Sequence, residues 1–540
     1  MNTLLWGPLL LRILALGIPL ILALAAAGTP RRSPFRWALP AAACAGLLAL
    51  GVGMGAAWLS PASQPPTHLD PWAAACLRFV RLDLVALLML GLVCILGWVI
   101  VRFSRTYLSG EQGQRRYVRA LLATLSMVTL LVLSNHLVVL GVAWMGTSFA
   151  LHHLLTFYAD RPQAQIVAHK KFLLSRLADV CLWVAILLLG GEMGTLYLDR
   201  MGAWAQAQAE LPASVQVATV LLVVTVTLKS AQIPFHGWLI QVMEAPTPVS
   251  ALLHAGVVNI GGFVLISLAP LMAQAPWALG WLLLVGTVTA VLAALIMTTR
   301  VSIKVALAWS TCAQMGFMLV QCGLGAWHLA LLHLLAHSFY KAHAFLHSGS
   351  TVETWRIQAM APLRPPLRAQ HFWIGGLVGG LLVGGAYAAT GWLERGEHGD
   401  PSLGLWALLL AMALLPLLAR GVGSGVQALA GVMVYASGVV LLYFAWHALF
   451  GSLVPGAQIA PAWAWAWVLT AFGTLLGLQW ALQARPHGPF AKRFQPHLFA
   501  GLYLDEFFTR LTFRVWPPRA QTTLPAYRPS HPMENPQVGS

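Results

Sequence analysis

This chain is short of charge. Only 9% of its 540 residues are charged, and 16 aspartates and glutamates face 32 lysines and arginines, whereas an ordinary soluble domain is about 25% charged. That shortage excludes a soluble globular core. Cysteine is scarce too. Cys44, Cys76, Cys94, Cys181, Cys312 and Cys322 are scattered, with no CxxC pair and no His-rich ligand spacing, so nothing points to a zinc or iron–sulfur site and the thiols are expected to be free and buried. A net charge of +16 would point to nucleic acid in a soluble chain. Here, however, the basic residues sit in short loops between apolar runs, as in membrane proteins, and nucleic acid is not an expected partner.

What the chain has is hydrophobic length. Fully 59% of it is hydrophobic, in runs of roughly twenty residues that can cross a hydrocarbon layer of about 30 Å as helices. Fifteen such spans are expected, at about 4–27, 37–59, 83–104, 117–134, 136–157, 173–191, 214–242, 249–271, 277–298, 303–323, 326–348, 371–390, 404–419, 425–450 and 463–483. The fold class is therefore an all-α polytopic membrane protein, with one transmembrane domain over 1–483. The opening stretch Leu4 to Ala27 lacks the charged n-region of a signal peptide and exceeds its usual apolar length, so it reads as the first span.

Basic clusters follow odd-numbered spans: Arg31, Arg32 and Arg36; Arg102, Arg105, Arg115 and Arg116; Lys170 and Lys171; Arg300; Arg356, Arg364 and Arg368. The connections after spans eight, ten and fourteen have no Lys or Arg, and the one after span twelve has Glu394, Glu397 and Asp400 beside Arg395. The positive-inside rule then puts the N-terminus outside and the C-terminus in the cytoplasm. Residues 484–520 open with Arg485, Lys492 and Arg493 and continue as HLFAGLYLDEFFTRLTFRVW, an amphipathic pattern that suits the membrane surface or a docked partner. The polar, Pro-rich 521–540 reads as disordered.

An ionisable side chain at bilayer depth costs about 3 kcal/mol on insertion scales, so it usually faces a protein interior and marks an ion path. Three stretches fit. Span seven, VTLKSAQIPFHGWL, has Lys229 mid-span and Pro234 five residues later; a broken helix must be sheltered by protein and can face a hydrated cavity. The alternative for Lys229 is a lysine snorkelling near a helix end. Span eight opens with PTPVSALLHAG and carries His254, either a packing histidine or a proton carrier. In span eleven, WHLALLHLLAHSFYKAHAFLHSGS, His333, His337 and Lys341 are spaced four apart and climb one helical face at about 100° per residue, with His347 nearby. Groups that titrate near neutrality, in a ladder, are what a proton wire requires; a metal site is the rival reading, against which Lys341 and the lack of a nearby carboxylate both count. Lys304, entering span ten, is either an interface anchor or a relay member. Arg176 and Asp179, one turn apart, form a local ion pair that can also bias a neighbouring lysine.

The segment LKSAQIPFHGWLIQVMEAPTPVSALLHAG closely resembles the most diagnostic stretch of the antiporter-like subunits of complex I and of Mrp sodium/proton antiporters. HLLAHSFYKAHAFLHSGS resembles that family's helix eleven, and KVALAWSTCAQMGF the start of its helix ten. The similarity covers roughly residues 80 to 350, and GLYLDEFF resembles the C-terminal region of the largest such subunit. The resemblance implies two inverted five-helix repeats, about 117–271 and 277–420, each with a broken helix. It also implies a mid-membrane proton path through Lys229, His254, Lys304, His333, His337 and Lys341, modulated by Arg176 and Asp179. The chain departs from the family at helix five, where Trp144–Met145 replaces a Trp–Glu pair whose glutamate modulates the lysine; His152 and His153, one to two turns on, are the titratable residues to replace it. The helix-twelve lysine has no clean match, with Arg395 nearest.

The helix-five stretch and the His-rich span eleven look most like the membrane subunits (DabB type) of the DAB inorganic-carbon accumulation complex of bacteria. That resemblance implies an inner-membrane coupling subunit with no catalytic residue, metal or cofactor of its own. Zinc and CO2 hydration would belong to a cytoplasmic DabA-type, carbonic-anhydrase-like partner. The alternative is a proton-pumping or sodium/proton antiporter subunit of a complex I-like or Mrp assembly, and genomic neighbours separate the two.

Overall fold

The computed structural model describes residues 3–58, 78–351, 353, 356, 368–393, 402–450, 460–485 and 487–517. Cys76, Arg364, Glu394, Arg395, Glu397, Asp400 and the tail 521–540 lie outside the described residues. Thirteen described helices are long and apolar enough to cross a membrane. The shorter Ala213–Lys229 and the more polar Trp327–Leu346 complete the fifteen spans expected, in the expected order. Helices suit this setting because they satisfy every backbone polar group within one segment. The five described cysteines are free; Cys94, Cys312 and Cys322 are buried, while Cys44 is exposed, in a stretch of the second span where Leu47 and Leu50 are exposed as well. An outward face that meets lipid is apolar, and a thiol fits it as well as it fits a core.

The seventh span breaks where Lys229 ends its helix. Ala231 takes a left-handed φ of 53°, Pro234 follows, and helix resumes only at Gly237–Ile240. Proline supplies no amide donor and clashes with the preceding turn, so the freed groups need other partners: Ile233 N–H donates to Thr289 Oγ1 at 3.1 Å and Gln232 Nε2 to the Ser230 carbonyl at 2.9 Å. The eighth span breaks as well, running as Thr247–Ala255, a tight turn at Val257–Asn259, and Ile260–Ser267. The twelfth span is one continuous helix, Ala369–Leu393, whose sequence contains no proline.

Spans nine and ten cross closely at two glycines. A Cβ on Gly286 would come within 2.7 Å of the Gly316 carbonyl oxygen, and one on Gly316 within 2.7 Å of both the Gly286 oxygen and the Ala290 nitrogen. Small residues that let backbones approach are the usual device for packing helices in lipid. Gly316→Ala is expected to push these helices apart and cost about 1–3 kcal/mol of overpacking, read as a lower melting temperature of the detergent-solubilised chain.

Helix Pro162–Met193 starts well before the span expected at 173–191, so Lys170 and Lys171, read from sequence as part of a loop cluster, are buried helical residues at 1% and 4% exposure. The C-terminal segment comprises helices Pro489–Phe499 and Glu506–Val515, and it covers Lys170 with Asp505 and Thr509 at the start of the second of them. The Lys170 ammonium donates to both Asp505 carboxylate oxygens at 2.8 and 3.0 Å, to Gln241 Oε1 at 3.1 Å and to Thr509 Oγ1 at 2.7 Å. Gln241 Nε2 also donates to Asp505 at 2.8 Å, and a Cβ on Gly237 would overlap the Asp505 carboxylate. The segment is thus clamped against the resumed half of the broken seventh span. Asp505→Ala strands a buried ammonium, at a cost toward the lower end of about 3–5 kcal/mol. Limited trypsin digestion is then expected to cut at Lys492, Arg493 or Arg510 several-fold faster.

Candidate functional site: a buried row of lysines and histidines

The first-half group is built by three helices. Lys229, at the interrupted end of span seven, donates to Asp179 Oδ1 at 2.6 Å, and Asp179 Oδ2 pairs with Arg176 at 2.8 Å. Asp179 thus serves two cations: the local pair with Arg176 and the long-range pair with Lys229 exist together. The Lys229 ammonium also lies 4.7 Å from the Trp144 ring centroid, and Arg176 stacks over Phe149 at 4.1 Å and Phe172 at 5.0 Å. Aromatic faces attract cations and exclude water. The carboxylate beside Lys229 therefore comes from helix six. His152 is half-buried and His153 exposed; neither pairs with Lys229 among the described residues, and His152 packs instead on Phe172 with centroids 5.2 Å apart.

The second group is assembled between spans eight, ten and eleven. His254 is fully buried, its Nδ1 3.0 Å from Thr311 Oγ1 and its ring stacked on Phe345 at 4.3 Å. Lys341, also fully buried, donates to the Leu307 carbonyl at 3.0 Å and makes no ion pair among the described residues. His337 lies within electrostatic range of His254, His333 and Lys341. The His333 and His337 rings are 6.0 Å apart, and His333 Nδ1 meets Gln321 Oε1 at 3.0 Å. The side-chain nitrogens His254 Nε2 and His337 Nε2 are buried with no hydrogen-bond partner among the described residues. An open groove of about 500 Å³ is lined by His333 and His337 together with Ser310, Gln314, Gln321 and Tyr340.

Lys304 and His347 stand apart from this group. Lys304 donates to Thr247 Oγ1 at 2.8 Å at the start of span eight, and His347 stacks on His343 at 5.4 Å and bonds Ser350. Between the two groups lie polar residues that the sequence reading did not single out. Ser230, next to Lys229, donates to the Val258 carbonyl at 3.0 Å, and neighbouring Asn259 donates to Ser338 Oγ at 2.7 Å, one turn from Lys341 on span eleven. Asn259, Thr311 and Gln321 had a signal, a polar side chain in an otherwise apolar span. Only the fold shows that they line the row.

A broken helix, a buried lysine sharing a carboxylate, and a histidine–lysine row in a many-span bundle define an antiporter-like, ion-transporting membrane subunit. Residues 134–381 match the family model for the transmembrane region of NADH:quinone oxidoreductase and Mrp antiporters, and residues 79–118 that for the N-terminus of complex I chain 5. A structure of the Mrp complex from Dietzia sp. shares the fold at a TM-score of 0.54, with 24% identity, over 95% of this chain and 57% of that one. Among curated relatives, the "probable inorganic carbon transporter subunit DabB" of Hydrogenovibrio crunogenus is 40% identical over 82% of this chain and 84% of its own length. The corresponding DabB2 of Halothiobacillus neapolitanus is 39% identical over 81% and 80%. The chain belongs to the DabB family of inorganic carbon transporter subunits.

Proposed function

We propose that this subunit conducts protons inward across a bacterial inner membrane and so drives inorganic carbon accumulation by a zinc-dependent, carbonic-anhydrase-like partner of the DabA type. In this reading the N-terminus is periplasmic, the C-terminal segment is cytoplasmic, and the partner hydrates CO2 to bicarbonate at the cytoplasmic face. Protons pass through Lys229, His254, His333, His337 and Lys341, with Lys304 at the cytoplasmic end of span ten and Asp179 and Arg176 setting the charge on Lys229. The observation that carries the reading is Lys229 itself, a buried ammonium at a helix break that shares its carboxylate with a second cation, so that a change in one charge alters the hold on the other. A path of amines and imidazoles with one carboxylate favours H+ over Na+, which prefers several oxygen ligands. Coupling requires that proton occupancy and partner state bias each other, and the clamp between Asp505, Lys170 and the broken span supports such a link. The test is growth in air of a carbonic-anhydrase-deficient bacterium expressing this chain with its neighbouring gene. Rescue is expected; no rescue by the intact pair would move the assignment to a proton-pumping or antiporter subunit.

A further inference from the structure

The first-half group is unbalanced: three cations, Lys171 and Lys229 buried and Arg176 partly exposed, stand near one carboxylate. Arg176 and Lys229 both form ion pairs with Asp179. Lys171, within electrostatic range of all three, is 4% exposed, donates only to the Ser148 carbonyl at 3.2 Å and makes no ion pair among the described residues. It sits eight residues before Asp179 on the same helix, about 12 Å nearer the basic face at 1.5 Å per residue.

His152 comes next in that direction. It lies within electrostatic range of Lys171, His153 and His169, and its Nδ1 is buried with no hydrogen-bond partner among the described residues. Over it lies Trp516, from the end of the C-terminal segment. Its ring centroid is 6.3 Å from that of His152 and 4.0 Å from that of His169, to which it is nearly parallel at 6°. The Trp516 carbonyl oxygen is 3.1 Å from His169 Nδ1. Of the other basic groups here, Lys170 is held by Asp505 and His153 is exposed. Two groups able to exchange protons thus stand in file between the Lys229–Asp179 pair and the basic face, with an indole across the outer end.

We infer that Lys171 and His152 are proton-path residues forming the leg between the Lys229–Asp179 pair and the cytoplasmic face, and that Trp516 covers its mouth; the inference rests on the proton-conducting reading above. Such a leg makes the C-terminal segment, which the broken span also grips through Asp505, a regulator of proton access.

The test uses the full chain, co-expressed with its neighbouring gene, in inside-out membrane vesicles with a pH-sensitive dye. Lys171→Met is expected to slow proton flux at least tenfold at unchanged membrane abundance. Lys171→Arg separates the roles: arginine keeps the positive charge and a donor for the Ser148 carbonyl but does not release its proton, so a relay fails and a purely structural cation survives. Retained flux in Lys171→Arg would overturn the proposal. Independently of flux, the cysteine introduced by Lys171→Cys is expected to react with a small membrane-impermeant thiosulfonate in inside-out vesicles but not in right-side-out ones, and at least fivefold faster when combined with Trp516→Ala. No reaction from the basic face would overturn the leg. Undiminished flux in Lys229→Ala would instead sink the conduction reading, with the labelling still deciding whether this leg is open.

Discussion

Replacing Lys229 with alanine is expected to abolish carbon-dependent growth rescue while leaving the protein in the membrane, whereas Asp179→Ala is expected to lose the protein itself. The asymmetry follows from who shares what. Without Lys229, Asp179 still holds Arg176 at 2.8 Å, so no buried charge is abandoned. Without Asp179, Arg176 and Lys229 both lose their carboxylate while Lys171 stays buried beside them; removing one partner of a buried pair costs about 3–5 kcal/mol, here with two cations stranded. Growth of the carbonic-anhydrase-deficient strain reads function, and fluorescence-detected size exclusion of the tagged chain reads folding. If Lys229→Ala lost the protein as thoroughly as Asp179→Ala, Lys229 would be a structural counter-ion and its place on the path would be withdrawn.

The spans were legible because hydropathy is nearly sufficient in lipid, where only helices and closed barrels satisfy the backbone. The break in span seven was legible because Pro234 follows a mid-span lysine. What sequence proximity does not show is which group answers which across helices. With Met145 in place of a glutamate, the titratable residues next along the chain were His152 and His153. The carboxylate that reaches Lys229 is instead Asp179, 50 residues away and brought near by the packing of span six on span seven. Lys170 and Lys171 were read as loop residues because the positive-inside rule counts charges near span ends; it cannot tell that helix Pro162–Met193 extends beneath a docked C-terminal segment. That segment's amphipathic pattern was visible, but the surface it covers was not, since Asp505 is 335 residues from Lys170.

In the second half, Lys341→Met is expected to stop growth rescue and slow proton flux at least tenfold, while Lys304→Met slows it less than threefold. Both lysines were candidates for one relay, yet the fold treats them differently. Lys341 is fully buried, donates to the Leu307 carbonyl and makes no ion pair among the described residues, and it lies within electrostatic range of His254 and His337, where the proposed path would pass between spans eight and eleven. Methionine fills the same apolar space but carries no proton. Lys304 sits at the membrane-edge end of span ten with its ammonium on Thr247, where water can replace it. Vesicle flux with both variants matched for abundance decides the point. Equal losses would place Lys304 in the obligatory row and would mean that the path turns through Thr247 at the start of span eight, so that protons reach His254 from the basic face along that helix and not through span eleven.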